Sequence, residues 1–266
     1  MINLSAFVQF LNTLPAEALL LCLYSTSVAA LALLYRWYGR SGVYLFITLA
    51  VIIANMQALK AMQLALFSEP IAMGTTLFMT TFLATDLLAE REGAHAARQA
   101  IWLSFAGVLF TTVIMVLTLG VNPANDMAAE QPDALSAEST DGPGHFYRAH
   151  QAIATLFLPA PAIFIASLTA YLISQFIDVR LFLMIKKVTH SKHLWLRSCL
   201  STTLSALIDN VIFSLLAWKI LSPLQIDTKT LIFTYILGTY AMRLILTALN
   251  IPFLYGLQRI KVQNHD

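Results

Sequence analysis

Residues 164–179 read FIASLTAYLISQFIDV. Within this stretch Ser167, Tyr171, Ser174, Gln175 and Asp178 recur at i, i+4, i+7, i+8 and i+11, and nearly everything between them is apolar. That spacing places the five on one face of a helix. Water would not tolerate the oily remainder of such a helix, and lipid could not satisfy the stripe. The segment therefore reads as a membrane-crossing helix whose polar stripe faces the inside of a bundle.

The rest of the chain agrees. Of 266 residues 58% are hydrophobic, and only 16 Lys/Arg and 14 Asp/Glu are present. Charged residues make up 11%, against roughly 25% in soluble domains. This composition excludes a soluble enzyme and a disordered chain. A net charge of +2 excludes a nucleic-acid binder, which needs a basic face. The fold class is all-α: a polytopic transmembrane helical bundle, taken as one integral membrane domain over residues 1–266. Crossing a bilayer takes ~20 apolar residues. Seven runs qualify: 17–35, 43–67, 71–89, 100–121, 156–182, 196–218 and 230–256. The first has no basic flank before it and is too long for a signal peptide, so it is expected to remain as a span. Residues 122–148 are acidic and rich in Pro, Ser and Gly, and are expected to form a mobile soluble loop. Cys22 and Cys199 are expected near opposite membrane faces, where no disulfide joins them.

Basic residues set the orientation. Arg36, Arg40, Arg91, Arg98, Arg180, Lys186, Lys187, Lys192, Arg197, Arg259 and Lys261 fall in odd-numbered loops or the C-terminal tail. Only Arg148, Lys219 and Lys229 fall on the other side. The expected topology has the N-terminus outside and the C-terminus in the cytoplasm, in the inner (cytoplasmic) membrane.

An ionisable group at mid-membrane costs at least ~2.5 kcal/mol on insertion scales and so marks function by default. The candidates are Asn55 and Lys60 in span two, Asp86 and Glu90 in span three, and Tyr171, Gln175 and Asp178 in span five. Span six adds Ser201 and Asp209, and span seven Tyr240 and Arg243. Ser201, Ser205 and Asp209 recur every four residues, as do Thr239, Arg243 and Thr247. Such Ser and Thr stripes also serve as packing glue between helices, and the charges could form structural ion pairs. Five charges from five spans are better explained by a lined cavity, and Asp86, Gln175, Asp178, Asp209 and Arg243 are expected to converge on one. Other chemistries lack their residues: there is no H-E-x-x-H, G-x-S-x-G or P-loop. The histidines sit in loops or the tail, and neither Asp86 nor Asp178 adjoins the Gly of an intramembrane aspartyl protease. Neither a metal nor a cofactor is expected.

Four blocks resemble one family. Phe82-Leu83-Ala84-Thr85-Asp86, followed by Glu90 and Gly93, is similar to the F-L-x-T-D-x-x-x-E-x-x-G signature of the queuosine precursor transporters, formerly named vitamin uptake transporters. Ala166-Ser167-Leu168-Thr169-Ala170-Tyr171 with Ser174-Gln175, Asp178-Val179 and Phe182 resembles a second block. Leu194-Trp195-Leu196-Arg197 with Ser201-Thr202, Asp209 and Phe213 resembles a third. Tyr240 and Arg243 with Pro252 and Tyr255-Gly256 resemble a fourth. Their order and spacing agree over roughly residues 45–258. The resemblance implies import of a 7-deazaguanine, typically 7-cyano-7-deazaguanine, for salvage into the tRNA nucleoside queuosine. The expected partners are this small molecule and the lipid bilayer, with no nucleic acid. A carboxylate would accept the ligand's ring N–H and amino group bidentately, amides would meet its other polar atoms, and aromatic rings would cover its faces. The same scaffold could instead carry another vitamin-like or nucleobase-like substrate, as a substrate-binding subunit. Proton coupling through Asp86, Asp178 or Asp209 and facilitated diffusion with metabolic trapping both fit the sequence, and an energising partner or homo-oligomer is open.

Overall fold

The structure is a computed structural model. It describes residues 4–67, 70–122, 145–158, 161–221 and 227–263, except the side chains of 145, 161–163, 230, 231 and 233–235. The chain is a multi-pass helical membrane protein. A short helix α1 (Leu4–Asn12) precedes α2 (Ala16–Gln57). A two-residue antiparallel pair, β1 (Ala61–Met62) and β2 (Ile71–Ala72), then leads into α3 (Gly74–Arg91) and α4 (Gly93–Leu119). The helices α5 (His145–Phe157), α6 (Pro161–Val188) and α7 (Leu194–Leu215) follow. A π-helical turn, Leu216–Ile220, prolongs α7. A second π-helical stretch, Leu231–Gly238, separates the single turn α8 (Thr228–Thr230) from α9 (Thr239–Gln258). Five helices are long and apolar enough to cross a bilayer among the described residues.

The first of these, α2, holds two expected spans. At 42 residues it would measure ~63 Å if straight, twice a bilayer core. It is not straight. Gly39 adopts φ 55° and ψ −135°, and a Cβ on Gly42 would lie 2.1 Å from the carbonyl oxygen of Leu34. Residues eight apart meet only where the chain doubles back, so the two halves form a helical hairpin. The positive φ at its apex is a conformation that glycine enters without the Cβ clash other residues meet.

The second half of α2 ends at Gln57, and this corrects the expected span over 43–67. Residues 58–67 are apolar enough to continue it but instead enter the β-pair, where the Met73 amide donates to the Lys60 carbonyl at 2.9 Å. Lys60 is exposed and outside any membrane helix. The expected loop over 122–148 lies mostly outside the described residues, and its last residues begin α5. Helix α6 begins at Pro161, where the fifth span was expected from 156, because residues 156 and 157 end α5.

Fifteen of the eighteen residues of α3 are buried, because α2, α4, α6, α7 and α9 surround it. It can therefore carry Thr75, Thr76, Thr80, Thr81, Thr85 and Asp86 without showing them to lipid. By contrast α4 buries only one edge and turns Leu103, Phe110, Val113 and Leu117 outward. Polar residues inside and large apolar ones outside is the arrangement a bilayer demands.

The basic turns gather at one end. The Gln263 backbone N–H donates to the Arg36 carbonyl at 2.8 Å, and Arg91 bonds both Tyr35 Oη and the Ile260 carbonyl at 3.0 Å. The β-pair marks the opposite end.

A Cβ on Gly74 would meet the Ala54 carbonyl oxygen at 2.2 Å, a backbone atom that cannot swing aside. Gly74→Ala is expected to push α3 from α2 and cost about 1–3 kcal/mol, read as a lower melting temperature in detergent. Gly256→Ala, at an exposed position with open space around it, should leave the melting temperature unchanged or raise it.

Candidate functional site

A cavity of about 550 Å³ runs from the β-pair into the middle of the bundle. Ala58, Leu59, Ala61, Pro70 and Ala72 form its rim, with Leu156 and Phe157 of α5 beside them. Its polar lining comes from separate helices: Asn55 from α2, Thr75 from α3, Ser167 and Tyr171 from α6, Asp209 and Asn210 from α7, and Thr239 and Arg243 from α9. Phe78, Phe164, Phe213 and Trp218 supply aromatic surface.

Most of these polar groups are held by a neighbour. Arg243 Nη1 donates to Asp209 Oδ2 at 2.5 Å, and Ser174 Oγ donates to Asp209 Oδ1 at 3.1 Å. The Arg243 and Asp209 side chains are 12% and 15% exposed, enough to touch whatever enters the cavity. Asn55 donates to the Val51 carbonyl and accepts from Ser167 Oγ at 3.0 Å, which fixes its amide. Tyr171 Oη pairs with Ser104 Oγ at 2.7 Å, and its ring centroid lies 6.2 Å from that of Phe78. Asn210 donates to Thr239 Oγ1 and the Ile236 carbonyl.

Below this cavity, toward the basic end, lies a second polar layer that does not line it. Asp86 and Asp178 are 1% and 0% exposed and stand within hydrogen-bonding reach of each other. Ser198 Oγ donates to Asp86 Oδ2 at 2.5 Å, and Ser205 Oγ donates to Asp178 Oδ1 at 2.9 Å. The hydroxyls of Ser201 and Thr202 face Asp178 as well. Gln175 joins α6 to α3: its Nε2 donates to Thr81 Oγ1 at 3.1 Å and its Oε1 accepts from Thr85 Oγ1 at 3.2 Å. On α7, Asp209 lies one turn from Ser205 toward the β-pair, about 6 Å by the helical rise.

A third layer closes the basic end. Glu90 pairs with Arg197 at 2.8 Å and Lys186 at 3.1 Å. The Arg197 guanidinium also lies 5.5 Å from the Phe182 ring centroid.

The expected single cavity is thus divided. Asn55, Tyr171, Asp209 and Arg243 meet in the cavity. Asp86, Gln175, Asp178 and Ser201 form the layer beneath, and Glu90 the layer beyond that. Tyr240 is half-buried and donates to the Thr203 carbonyl at 3.1 Å away from the cavity. Lys60 is not among the cavity-lining residues, although its neighbours Leu59 and Ala61 are. The sequence reading passed over Phe78, Asn210 and Trp218 as site residues. Asn210 adjoins Asp209 and could have been found on that ground. Phe78 and Trp218 carry no signal that separates them from ordinary lipid-facing aromatics.

Comparison with known proteins places this architecture. Residues 72–257 match the family described as "Putative vitamin uptake transporter". The chain is 28% identical over 229 residues to a Bacillus subtilis protein named "Probable queuosine precursor transporter", covering 86% of this chain and 88% of that one. No solved structure matches. The matched span runs from β2 through α9 and contains the carboxylate-bearing helices α3, α6 and α7 as well as α9 with Arg243, and the chain belongs to this vitamin uptake transporter family.

Proposed function

We propose that the protein imports a 7-deazaguanine, 7-cyano-7-deazaguanine or a close relative, across the inner membrane for salvage into queuosine of tRNA. The observation that carries this reading is the cavity at Asp209 and Arg243. Its volume is in the range of small-molecule sites, about 300–1,000 Å³. Asp209 uses one lone pair of each oxygen on Ser174 and Arg243 and keeps others for a ligand. A guanine-like edge presents a ring N–H and an amino group side by side, which such a carboxylate accepts together. Arg243 and Asn55 offer donors to the ligand's carbonyl and nitrile. Phe78 and Tyr171 offer ring faces to its plane. The name of the Bacillus relative supports the same cargo.

In this reading the basic end faces the cytoplasm and the β-pair faces outward, since Lys/Arg-rich ends remain cytoplasmic. The cavity then meets substrate from outside, and the ion pairs of Glu90 seal the cytoplasmic end. A cycle of transport requires that seal to part while the β-pair end closes. No step of bond chemistry is needed, so the protein acts as a carrier and not as an enzyme.

The cargo is tested by the queuosine content of tRNA in a strain that cannot make the precursor, grown on 7-cyano-7-deazaguanine with and without this protein. Restoration only with the protein is expected; no restoration, with uptake of another nucleobase or vitamin, would overturn the reading. Asp209→Asn removes a charge-assisted acceptor with little change of shape. Such bonds contribute ~1.5–3 kcal/mol each, so half-saturation for uptake should rise at least ~10-fold. Unaltered uptake at low substrate would remove Asp209 from the site. For orientation, Lys60→Cys in a background with Cys22 and Cys199 changed to Ser should react with a membrane-impermeant maleimide in intact cells. Reaction only after permeabilisation would invert the topology.

A further inference from the structure

The substrate cavity leaves the Asp86–Asp178 pair without a task. Both side chains are all but fully buried, and each has one oxygen satisfied and one without a donor. The satisfied oxygens are Asp86 Oδ2, held by Ser198, and Asp178 Oδ1, held by Ser205. Asp86 Oδ1 and Asp178 Oδ2 have no hydrogen-bond partner among the described residues. Buried acceptors left in this state are rare, and two carboxylates brought together in a buried site do not both ionise.

The surrounding charges do not resolve the pair. From α7, Arg197 approaches Asp86; its two Nη atoms bond Glu90 and the Lys192 carbonyl, and its Nε has no hydrogen-bond partner among the described residues. From α6, Lys186 bonds Glu90 and its carbonyl oxygen. From α3, Glu90 is the next carboxylate toward the basic end, and Arg91 is turned to Tyr35 and Ile260. From α7 and α9, Asp209 and Arg243 pair with each other in the cavity above. Of the neutral donors, Thr85 donates to Gln175 and Ser201 to the Ser198 carbonyl, while the hydroxyls of Ser201 and Thr202 also lie beside Asp178. Two neighbouring carboxylates, each with one oxygen lacking a hydrogen-bond partner, are satisfied together by a single hydrogen. A hard metal cation would instead need about six oxygens, and two are free.

We propose that Asp86 and Asp178 form a proton-binding site, distinct from the substrate cavity, through which a proton gradient drives transport. The pair takes up one proton from the β-pair side when the cavity is loaded and holds it between Asp86 Oδ1 and Asp178 Oδ2. It releases the proton toward Glu90 once the basic end opens. Ser174 and Gln175, adjacent in sequence, link the two sites: Ser174 bonds the cavity carboxylate Asp209, and Gln175 bonds Thr85, the residue before Asp86. Ser205 and Asp209, four residues apart on α7, make the same connection on the facing helix. A change of charge in the lower layer thereby alters the packing of the helices that carry the upper one.

The coupling rests on the transport reading, whereas occupancy of the pair by a proton does not, so the test has two arms. Infrared spectra of the purified full-length protein should show a protonated-carboxyl C=O band at neutral pH. The band should be lost in Asp86→Asn and in Asp178→Asn and kept in Asp209→Asn. Absence of such a band in the wild type overturns the proton site whether or not the protein transports anything. In the second arm, proteoliposomes take up labelled 7-cyano-7-deazaguanine under an imposed pH gradient, acid outside. One proton per substrate and a gradient of one pH unit should give about 10-fold accumulation, falling to about 1-fold in Asp178→Asn. Uptake in the wild type that ignores the pH gradient, or follows a sodium gradient instead, overturns proton coupling. Absence of all uptake counts against the cargo, and the infrared band then decides the proton site alone. Should the Asn variants fail to purify as folded protein, the wild-type band and its gradient dependence still decide.

Discussion

The helices of this bundle are held in register by carboxylates that lipid will not accept. Each described intramembrane acid is tied to another helix. Asp86 of α3 is bonded by Ser198 of α7, Asp178 of α6 by Ser205 of α7, and Asp209 of α7 by Arg243 of α9 and Ser174 of α6. Helix association in a membrane lacks the hydrophobic drive available in water and depends on close packing and such bonds. The central helix α3 shows the consequence. It is too rich in threonine to face lipid, so it is enclosed on all sides, and the surrounding helices take their places from it.

The polar contacts fall into three layers along the axis: the Asp209–Arg243 cavity, the Asp86–Asp178 layer with Gln175, and the Glu90 ion pairs. The layers share helices but not tasks. The upper one has partly exposed polar atoms and aromatic walls, as a site for a planar molecule requires. The middle one is buried among α3, α6 and α7. The lowest is an electrostatic latch between α3, α6 and α7.

Much of this was legible in the residues. A helical stripe identifies which face of a span points inward, and the stripes through Asp178, Asp209 and Arg243 did so correctly. Depth was not legible. Residues on one stripe can lie ten or more ångströms apart along the axis, and so Asp178 and Asp209, read as members of one cavity, stand in separate layers. Lys60 was misplaced for a different reason. The apolar run 58–67 continues the hydrophobicity of α2, and apolarity alone does not separate a helix from a short strand pair. The fold-back at Gly39 fell where a loop was expected between two spans, and one glycine suffices for it. The membrane family was legible because four blocks of polar residues kept their order inside otherwise interchangeable apolar sequence.

Tyr24 in the first half of α2 donates its hydroxyl to Asn250 Oδ1 of α9 at 2.8 Å, across 226 positions of sequence. Asn250 in turn donates to the Met79 carbonyl of α3. The first half of α2, α3 and α9 therefore close on a single amide that leaves the ribosome 226 residues after Tyr24. Until it does, the phenol of Tyr24 has no such acceptor. The nascent chain must wait in the membrane as an incomplete ring, so truncation before α9 would yield a species fit for quality-control proteolysis instead of a smaller working protein.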